Sequence, residues 1–588
     1  MAEALISPGV FLRENDQSQI TAGPIAAGAA LVGPTVVGPQ NIPTVVTSYS
    51  QYKAVFGATF LSGGLNYEYL TSLAAYNYFQ QGGASLLVTR VASGSYTSAT
   101  SSVIPSQAGV GFPCFELETL SVGEVMNNSY NSAAAASGVL PSGSSANVRW
   151  EVGQVDSGSG LFTLLVRRGD DYQSSKTVLE TWSNISLDPN QSNYIAYVIG
   201  DQKQVVLTDE FGEKYLQTTG MYPNASNYIR VKQVFLPTPN YLTPQGQPYD
   251  YYTASMPQRG SGSYNGSFGG AVGAIYGCFG TAALKMYSDI PTTTANTPAQ
   301  NTQGVLASDY DAALNLLRNK DQYDFNAIFV PGLTSQNASS QISTLLTNVQ
   351  DRGDAIAVVD MVGYNQSLTS ATVQAQSYDN SYGATYWPWV EIRSPETGKL
   401  IYVPPSSIIP AVYEYNDKIS AEWFAPAGLN RGGLPTVIQP ERRLTVGQRN
   451  LLYSAKVNPI ATFPGIGTVV YGQKTLQAKA SALDRVNVRR LLIALKRYIG
   501  QIAETLVFEQ NTAVTRNRFL SQVNPYLEYV QQKQGLFAFR VVMDDTNNTP
   551  DVIDRNILVG QIYLQPTRTA EFIQLDFNVL PTGATFGQ

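Results

Sequence analysis

A chain of 588 residues is longer than one hydrophobic core organises, so three or four domains are expected. Only 14% of residues are charged and the net charge is −6, which removes the basic excess that a phosphate backbone requires, whereas 36 Tyr and 22 Phe supply packed cores and aromatic surface for interfaces. There is no histidine, and the two cysteines, Cys114 and Cys278, stand far apart; this excludes Ser/His and Cys/His nucleophile pairs and leaves a disulfide framework or a zinc site without support.

In chain order, MAEALISPGV carries no basic region followed by a long apolar run, so no secretory signal is expected. Residues 1–22 read as an extended arm in which Leu5, Ile6, Val10, Phe11 and Leu12 flank the break at Ser7-Pro8-Gly9. Residues 25–37 are the most apolar stretch, but Gly28, Gly33 and Pro34 cut it and it is too short to span a bilayer. A soluble protein without direct membrane insertion is expected, in a reducing compartment.

Residues 23–92 show a mixed α/β pattern. Strands are expected at 29–32, 44–47 and 86–91, and a helix at 67–80 with Tyr69, Leu73, Tyr76 and Phe79 on one side, ended by Gly82-Gly83. From 93 to 304 the chain becomes rich in Ser, Gly, Thr and Asn, with strand-like runs at 148–155, 161–166, 194–199 and 229–235 between turn signals. This stretch reads as one or two β-rich inserted domains, entered through 93–102, with 260–270 (GSGSYNGSFGG) as a flexible loop.

The α/β signal returns over 305–430, with helices at 308–319 and 339–351 and strands at 326–330 and 355–359 that complete the sheet begun before the insertion. The stretch YWPWV (386–390) and a strand at 399–403 follow, and the loop 428–434 marks the boundary to a C-terminal domain, 431–569. There, residues 485–511 place Val488, Leu491, Leu492, Leu495, Ile499, Ile502 and Leu506 at helical spacing, a stripe roughly 35–40 Å long. Strands are expected at 537–543 and 557–564, joined by DDTNNTPDVIDRN. A last run, within the arm 570–588, carries Phe572, Ile573, Leu575, Phe577 and Val579 in a strand-like pattern with no obvious partner in its own subunit.

The fold class is therefore α/β (α+β) and multidomain: a discontinuous α/β middle domain with a β-rich insertion, and a mixed α+β C-terminal domain with extended arms at both ends. SPGVFLREND near the start, YKAVFGA and YFQQGGASLLVTRV, and the run from NVRRLLIALKRYIGQ through DDTNNTPDVIDRN to PTRTAEFIQLDF resemble the contractile tail sheath proteins of bacteriophages, a family related to tailocin and type VI secretion sheaths. The resemblance covers residues 1–92 and about 431–580, more weakly 305–430, and not the middle.

The resemblance implies a virion structural subunit, assembled in the host cytoplasm, that polymerises helically around a tail tube. It would be held extended by tube and baseplate, and contract to drive the tube through the host envelope for genome delivery. The partners it implies are many sister copies, the tail tube protein, and baseplate and tail terminator proteins, with no nucleic acid. It also implies that the arms add strands to sheets of neighbouring subunits, a β-augmentation. Two readings stand for Arg489, Arg490, Lys496 and Arg497: a solvated helix face with partners one turn away, or a surface facing an acidic tube, as the resemblance implies. The alternatives are the sheath of a tailocin-like injection device, or a capsid or baseplate protein forming rings or shells.

Several groupings mimic active sites. Gly260-x-Gly262 with Gly266 misses the GxGxxG spacing, and no Walker-type motif is present, so no nucleotide or other cofactor is expected. Asp544, Asp545, Asn547, Asn548, Asp551 and Asp554 gather as calcium ligands do but lack the EF-hand spacing, and turn formation explains them as well. Asp360 ends a parallel strand, where a capping or solvated role is expected. Glu116 and Glu118 are the acids a glycosidase reading would use, without sign of a sugar cleft. No catalytic or metal site is expected.

Overall fold

The computed structural model describes residues 25–62, 65–92, 98–101, 103–122, 148–265, 290, 303–572 and 574. Its centre is an eight-stranded sheet whose strands come from both sides of the insertion: β1 (Ala29–Pro34), β2 (Thr44–Val46), β3 (Leu86–Val91), β4 (Ala327–Thr334), β5 (Ile356–Asp360), β6 (Gly383–Trp387), β7 (Asn458–Phe463) and β8 (Gly467–Val470). Their order is β8-β7-β6-β5-β4-β1-β3-β2. The inner pairs are parallel, and β2 and β8 close the two ends antiparallel. β1, β3, β4, β5 and β6 are buried along their whole length, as strands of a parallel sheet covered on both faces must be, and this is why they read as mostly apolar rather than alternating, with Thr89, Arg90 and Thr385 buried among them.

Helix α1 (Leu70–Gln80) lies against β1. The approach depends on two glycines of that strand's neighbourhood: a Cβ on Gly28 would stand 2.5 Å from the Tyr78 hydroxyl, and one on Gly33 2.4 Å from Thr71 Oγ1. The same glycines that interrupt the apolar stretch 25–37 are therefore what lets helix and strand meet. Helix α2 (Ser339–Arg352) turns Ile342, Leu345, Leu346 and Val349 inward, and α3 (Ile409–Ile419) buries Ile409, Val412 and Tyr413.

The stretch before residue 266 forms a second sheet with its own core around Phe115, Trp150, Phe162 and Leu164. Its strands run in the order Val178–Ser186, Leu161–Arg168, Val148–Asp156, Gly260–Asn265, Thr100–Ser101, Gly109–Thr119, Ile229–Val234. Two expectations are corrected. The run at 194–199 is a helical turn, Ile195–Ile199, because Ile195, Ala196 and Ile199 enter the core from one side. Residues 260–265, expected as a loop, are a strand between Val148–Asp156 and Thr100–Ser101. The buried Arg149 of the adjacent strand reaches Asp171 at 3.3 Å and, on this strand, Ser261 Oγ at 3.4 Å. Residues 266–270 of that expected loop, and Cys278, lie outside the described residues.

The hairpin Lys203–Thr208 and Lys214–Thr219 leans back from this unit, packing Val206 and Leu216 on the central core. Arg318 holds its end by Glu213 at 2.8 Å and Asp351 at 3.1 Å.

Asp360, at the end of β5, is neither solvated nor a ligand site. It is buried and accepts hydrogen bonds from the Ser406 amide at 3.1 Å and hydroxyl at 2.5 Å, so it caps the turn Pro405–Ser407. Burial pushes its carboxyl up to about 7, against those bonds. Burial likewise raises Glu68, bonded by Ser394, to about 7. A carboxyl raised in the folded state favours folding while it stays protonated, and that contribution is lost as pH rises from the unfolded value through about 7. Thermal unfolding of the monomer should therefore occur at higher temperature at pH 6 than at pH 8, by about 1 kcal/mol for each such group. Asp360→Asn should flatten that slope; calorimetry at the two pH values checks it.

Candidate assembly interface

The C-terminal part is built on two helices and a ribbon. α4 (Val486–Glu504) is followed by α5 (Ala513–Gln532), then by β9 (Leu536–Val542) and β10 (Gln561–Pro566) in antiparallel register. The helix expected to reach residue 511 stops at Glu504 because Leu506 turns into the core and Phe508 takes a left-handed backbone, φ 70°, which reverses the chain. α5 was not anticipated. Thr512 caps it through the Thr515 amide, and Thr515, Phe519, Val523, Leu527 and Val530 bury one stripe despite Pro525 in its interior. That cap and stripe were the signal available.

The second strand begins later than the expected 557. Asn548 is buried and holds Val559 through both backbone groups, accepting from its amide and donating to its carbonyl, each at 2.9 Å. Residues 557–560 are thus bracketed, and pairing starts at Gln561. The calcium-like cluster resolves into the same turn: Asp544 accepts from Thr546, and Asn547 accepts from the Asp544 amide. Among the described residues, no group of three or more His, Cys, Asp or Glu side chains is placed to hold a metal.

The ribbon is the unusual element. Phe539, Val541, Ile562 and Leu564 face the helices but stay only partly buried, while Phe537 and Tyr563 point outward and are exposed. Among the described residues β9 and β10 pair only with each other, so each presents one edge of backbone N–H and C=O groups without a ladder partner. Two strands over one incomplete apolar layer are marginal by themselves.

The four basic residues of α4 do not form an exposed face, and both readings of them are corrected for Arg489 and Arg490. Arg490 is buried and makes a two-pronged ion pair with Asp417 of α3 while lying 4.7 Å over the Tyr413 ring. Burial opposes its charge, but Asp417 outweighs this and holds the guanidinium above its ordinary value. Arg489 is buried 4.0 Å over the Tyr382 ring and bonds Ser381, and burial lowers it. Arg497 pairs with Asp324, and Lys496, the exposed one, reaches the Tyr382 hydroxyl at 3.1 Å. Their partners sit on the central α/β unit rather than one helical turn away, so the basic side of α4 fastens the two units together.

Of the arm residues, Leu5, Ile6, Val10, Phe11, Leu12, Ile573, Leu575, Phe577 and Val579 lie outside the described residues. Phe572 is described and is 84% exposed. Glu116 and Glu118 are neutralised by Lys232, and by Arg230 and Lys203, which leaves no pair of free carboxyls facing a cleft there. Cys114 is buried, and burial raises its thiol. No helix among the described residues is long and apolar enough to cross a membrane.

Among the described residues the ribbon thus stands half-covered on the helix pair α4–α5, with one edge of each strand open. Residues 303–476 match the model of the phage tail sheath protein central domain, and residues 478–579 that of the phage tail sheath C-terminal domain. The tail sheath protein of Vibrio phage KVP40 is 36% identical over 267 residues, 44% of this chain and 38% of that protein. That of Enterobacteria phage T4 is 40% identical over 187 residues, 32% of this chain and 28% of that protein. The matched stretches thus span well under half of these relatives' length. A solved sheath tail protein from Listeria innocua aligns over 93% of this chain and 96% of its own at 11% identity and a TM-score of 0.49, too loose a likeness to add to the domain matches.

Arg490→Ala removes a buried guanidinium from its two charged hydrogen bonds to the half-buried Asp417 and should cost about 2–3 kcal/mol, whereas Lys496→Ala should cost less than about 1 kcal/mol. Urea denaturation followed by intrinsic fluorescence distinguishes these outcomes.

Proposed function

We propose that this chain is the structural subunit of a contractile tail sheath. Copies polymerise helically around a tail tube, and the assembly shortens to drive the tube through the host cell envelope for genome delivery. The observation that carries this reading is the β9–β10 ribbon with both edges open, set in a domain that matches the sheath C-terminal domain. Strands added to those edges by the terminal segments of sister copies complete its hydrogen bonding and cover its apolar layer.

If each added strand makes about five main-chain bonds worth roughly 0.5–1.5 kcal/mol net, one link contributes a few kcal/mol, and many links make a fabric that is hard to pull apart. Each link survives a rigid-body rotation of the subunit so long as the segment between ribbon and body bends. The energy of contraction is then conformational, stored in the extended polymer, and the chain needs no catalytic centre, nucleotide or metal. The partners in this reading are many sister copies, a tail tube protein, and baseplate and terminator proteins, in a virion assembled in the host cytoplasm. The inserted sheet before residue 266 lies outside the matched domains and decorates the subunit. The sheath of a phage-derived injection device is the second reading, since the same domains serve it equally.

Removal of residues 1–13, and separately of 573–588, should leave a folded monomer that no longer forms hollow striated cylinders in negative-stain micrographs. Normal cylinders from either truncated chain would overturn the strand-exchange reading.

A further inference from the structure

Where the C-terminal segment leaves the body, one carboxylate is held by three side chains from three separate stretches. Glu571 Oε1 accepts from Arg485 Nε at 2.7 Å and Gln473 Nε2 at 3.0 Å, and Oε2 accepts from Arg485 Nη2 at 3.0 Å and the Tyr453 hydroxyl at 2.7 Å. The Arg485 fork is thus fully engaged, the geometry that makes an Arg–carboxylate pair both strong and directional. Asp484 fixes a further Arg485 nitrogen at 2.8 Å, and Lys474 lies 4.5 Å over the Tyr453 ring. Gln473 Nε2 also donates to Thr569 Oγ1 at 2.6 Å. Burial alone would raise the Glu571 carboxyl, but the bonds from Arg485, Tyr453 and Gln473 outweigh it and hold the group below the usual carboxylate range.

The holders are themselves well rooted. Tyr453 sits on the helix Val446–Ser454. Backbone bonds join the Val486 amide to the Gln473 carbonyl at 2.8 Å and the Thr475 amide to the Asp484 carbonyl at 3.0 Å, which makes a stiff collar at the start of α4. Tyr453 and Gln473 belong to the stretch matched by the central domain, and Arg485 and Glu571 to that matched by the C-terminal domain. The clasp therefore ties the chain just past β10 to the body across the domain junction, while the next residue, Phe572, is exposed.

This position has a mechanical consequence. A pull on the chain beyond residue 572 that reached Pro566 directly would peel β10 from β9 one bond at a time, starting at its last residue. With Glu571 clasped, the same pull is delivered to the collar and the central sheet, and the ribbon is bypassed. We propose that Glu571 is a strain-relief anchor, held by Arg485, Tyr453 and Gln473, that carries tension from the C-terminal segment into the body of the subunit and keeps the β9–β10 ribbon intact as subunits move. This inference rests on the strand-exchange reading above.

The test uses the full chain, with Glu571→Ala and the shape-conserving Glu571→Gln. In the free monomer, amide exchange over residues 561–571 should quicken about ten- to a hundredfold in Glu571→Ala, as expected for loss of a charged hydrogen-bonded clasp. Glu571→Gln should lie between it and the unmodified chain, with α4 and the central sheet unchanged in both. In cylinders driven to contract, Glu571→Ala should assemble but break into short pieces where the unmodified chain stays continuous. Unaltered exchange over 561–571 would overturn the anchor itself, and unbroken contracted cylinders of Glu571→Ala would overturn its load-carrying role. Neither depends on the truncation at 573, which keeps Glu571 and tests the strand exchange separately.

Discussion

Backbone hydrogen bonding at a strand edge is the constraint on which this molecule turns. A donor or acceptor row that water alone satisfies is tolerable, but it is also a template for any extended segment that arrives. The central sheet runs from β8 to β2 over eight strands, the sheet before residue 266 has a core of its own, and the two-stranded hairpin Lys203–Thr208/Lys214–Thr219 packs Val206 and Leu216 on the central core. Among the described residues the β9–β10 ribbon combines two strands, two open edges and an apolar layer that α4 and α5 cover incompletely. That geometry is the ground for the proposal that the other strands of this sheet come from sister copies.

Everything around the ribbon keeps it in place while leaving its edges free. α4 is fixed to the central unit by buried arginines, with Arg490 paired to Asp417 and Arg489 over Tyr382. A buried cation at such a site depends on its partners, and removing Asp417 would leave the Arg490 charge uncompensated. The junction is therefore stiff in its native pairing and intolerant of change. The clasp on Glu571 adds a second tie across the same junction, from the other end of the C-terminal unit. On the proposed sheath reading, a subunit braced in this way would move as one body, with the bending of a change of helical state taken by the segments that connect subunits.

Much of the fold was legible from sequence. The strands near 29–32 and 355–359 could be read because parallel strands buried on both faces leave near-continuous apolar runs, and that at 86–91 from Leu86, Leu87, Val88 and Val91 around Thr89 and Arg90. α5 was missed because its composition is polar and Pro525 interrupts it, so its stripe shows only once the Thr512 cap is recognised. Gly260–Asn265 looked like a loop because its glycines and serines carry no apolar pattern, and the strands that pair with it, Val148–Asp156 and Thr100–Ser101, lie more than a hundred residues away. Arg489 and Arg490 looked like surface for a similar reason: Tyr382 and Asp417 cannot be located from the spacing within α4. The assembly surface was legible only in part, since the sequence shows a helix and two strand-like runs but not that the ribbon stops at two strands.

Amide hydrogen exchange resolved along residues 536–542 and 561–566, compared between free monomer and assembled cylinders, tests the central claim most directly. Amides within the β9–β10 ladder are already protected in the monomer, so the informative ones are those that point away from it. The account predicts that these outward amides exchange freely in the monomer and become strongly protected in the cylinder, on both strands. Outward amides that exchange as fast in the cylinder as in the monomer, while other surfaces gain protection, would contradict it.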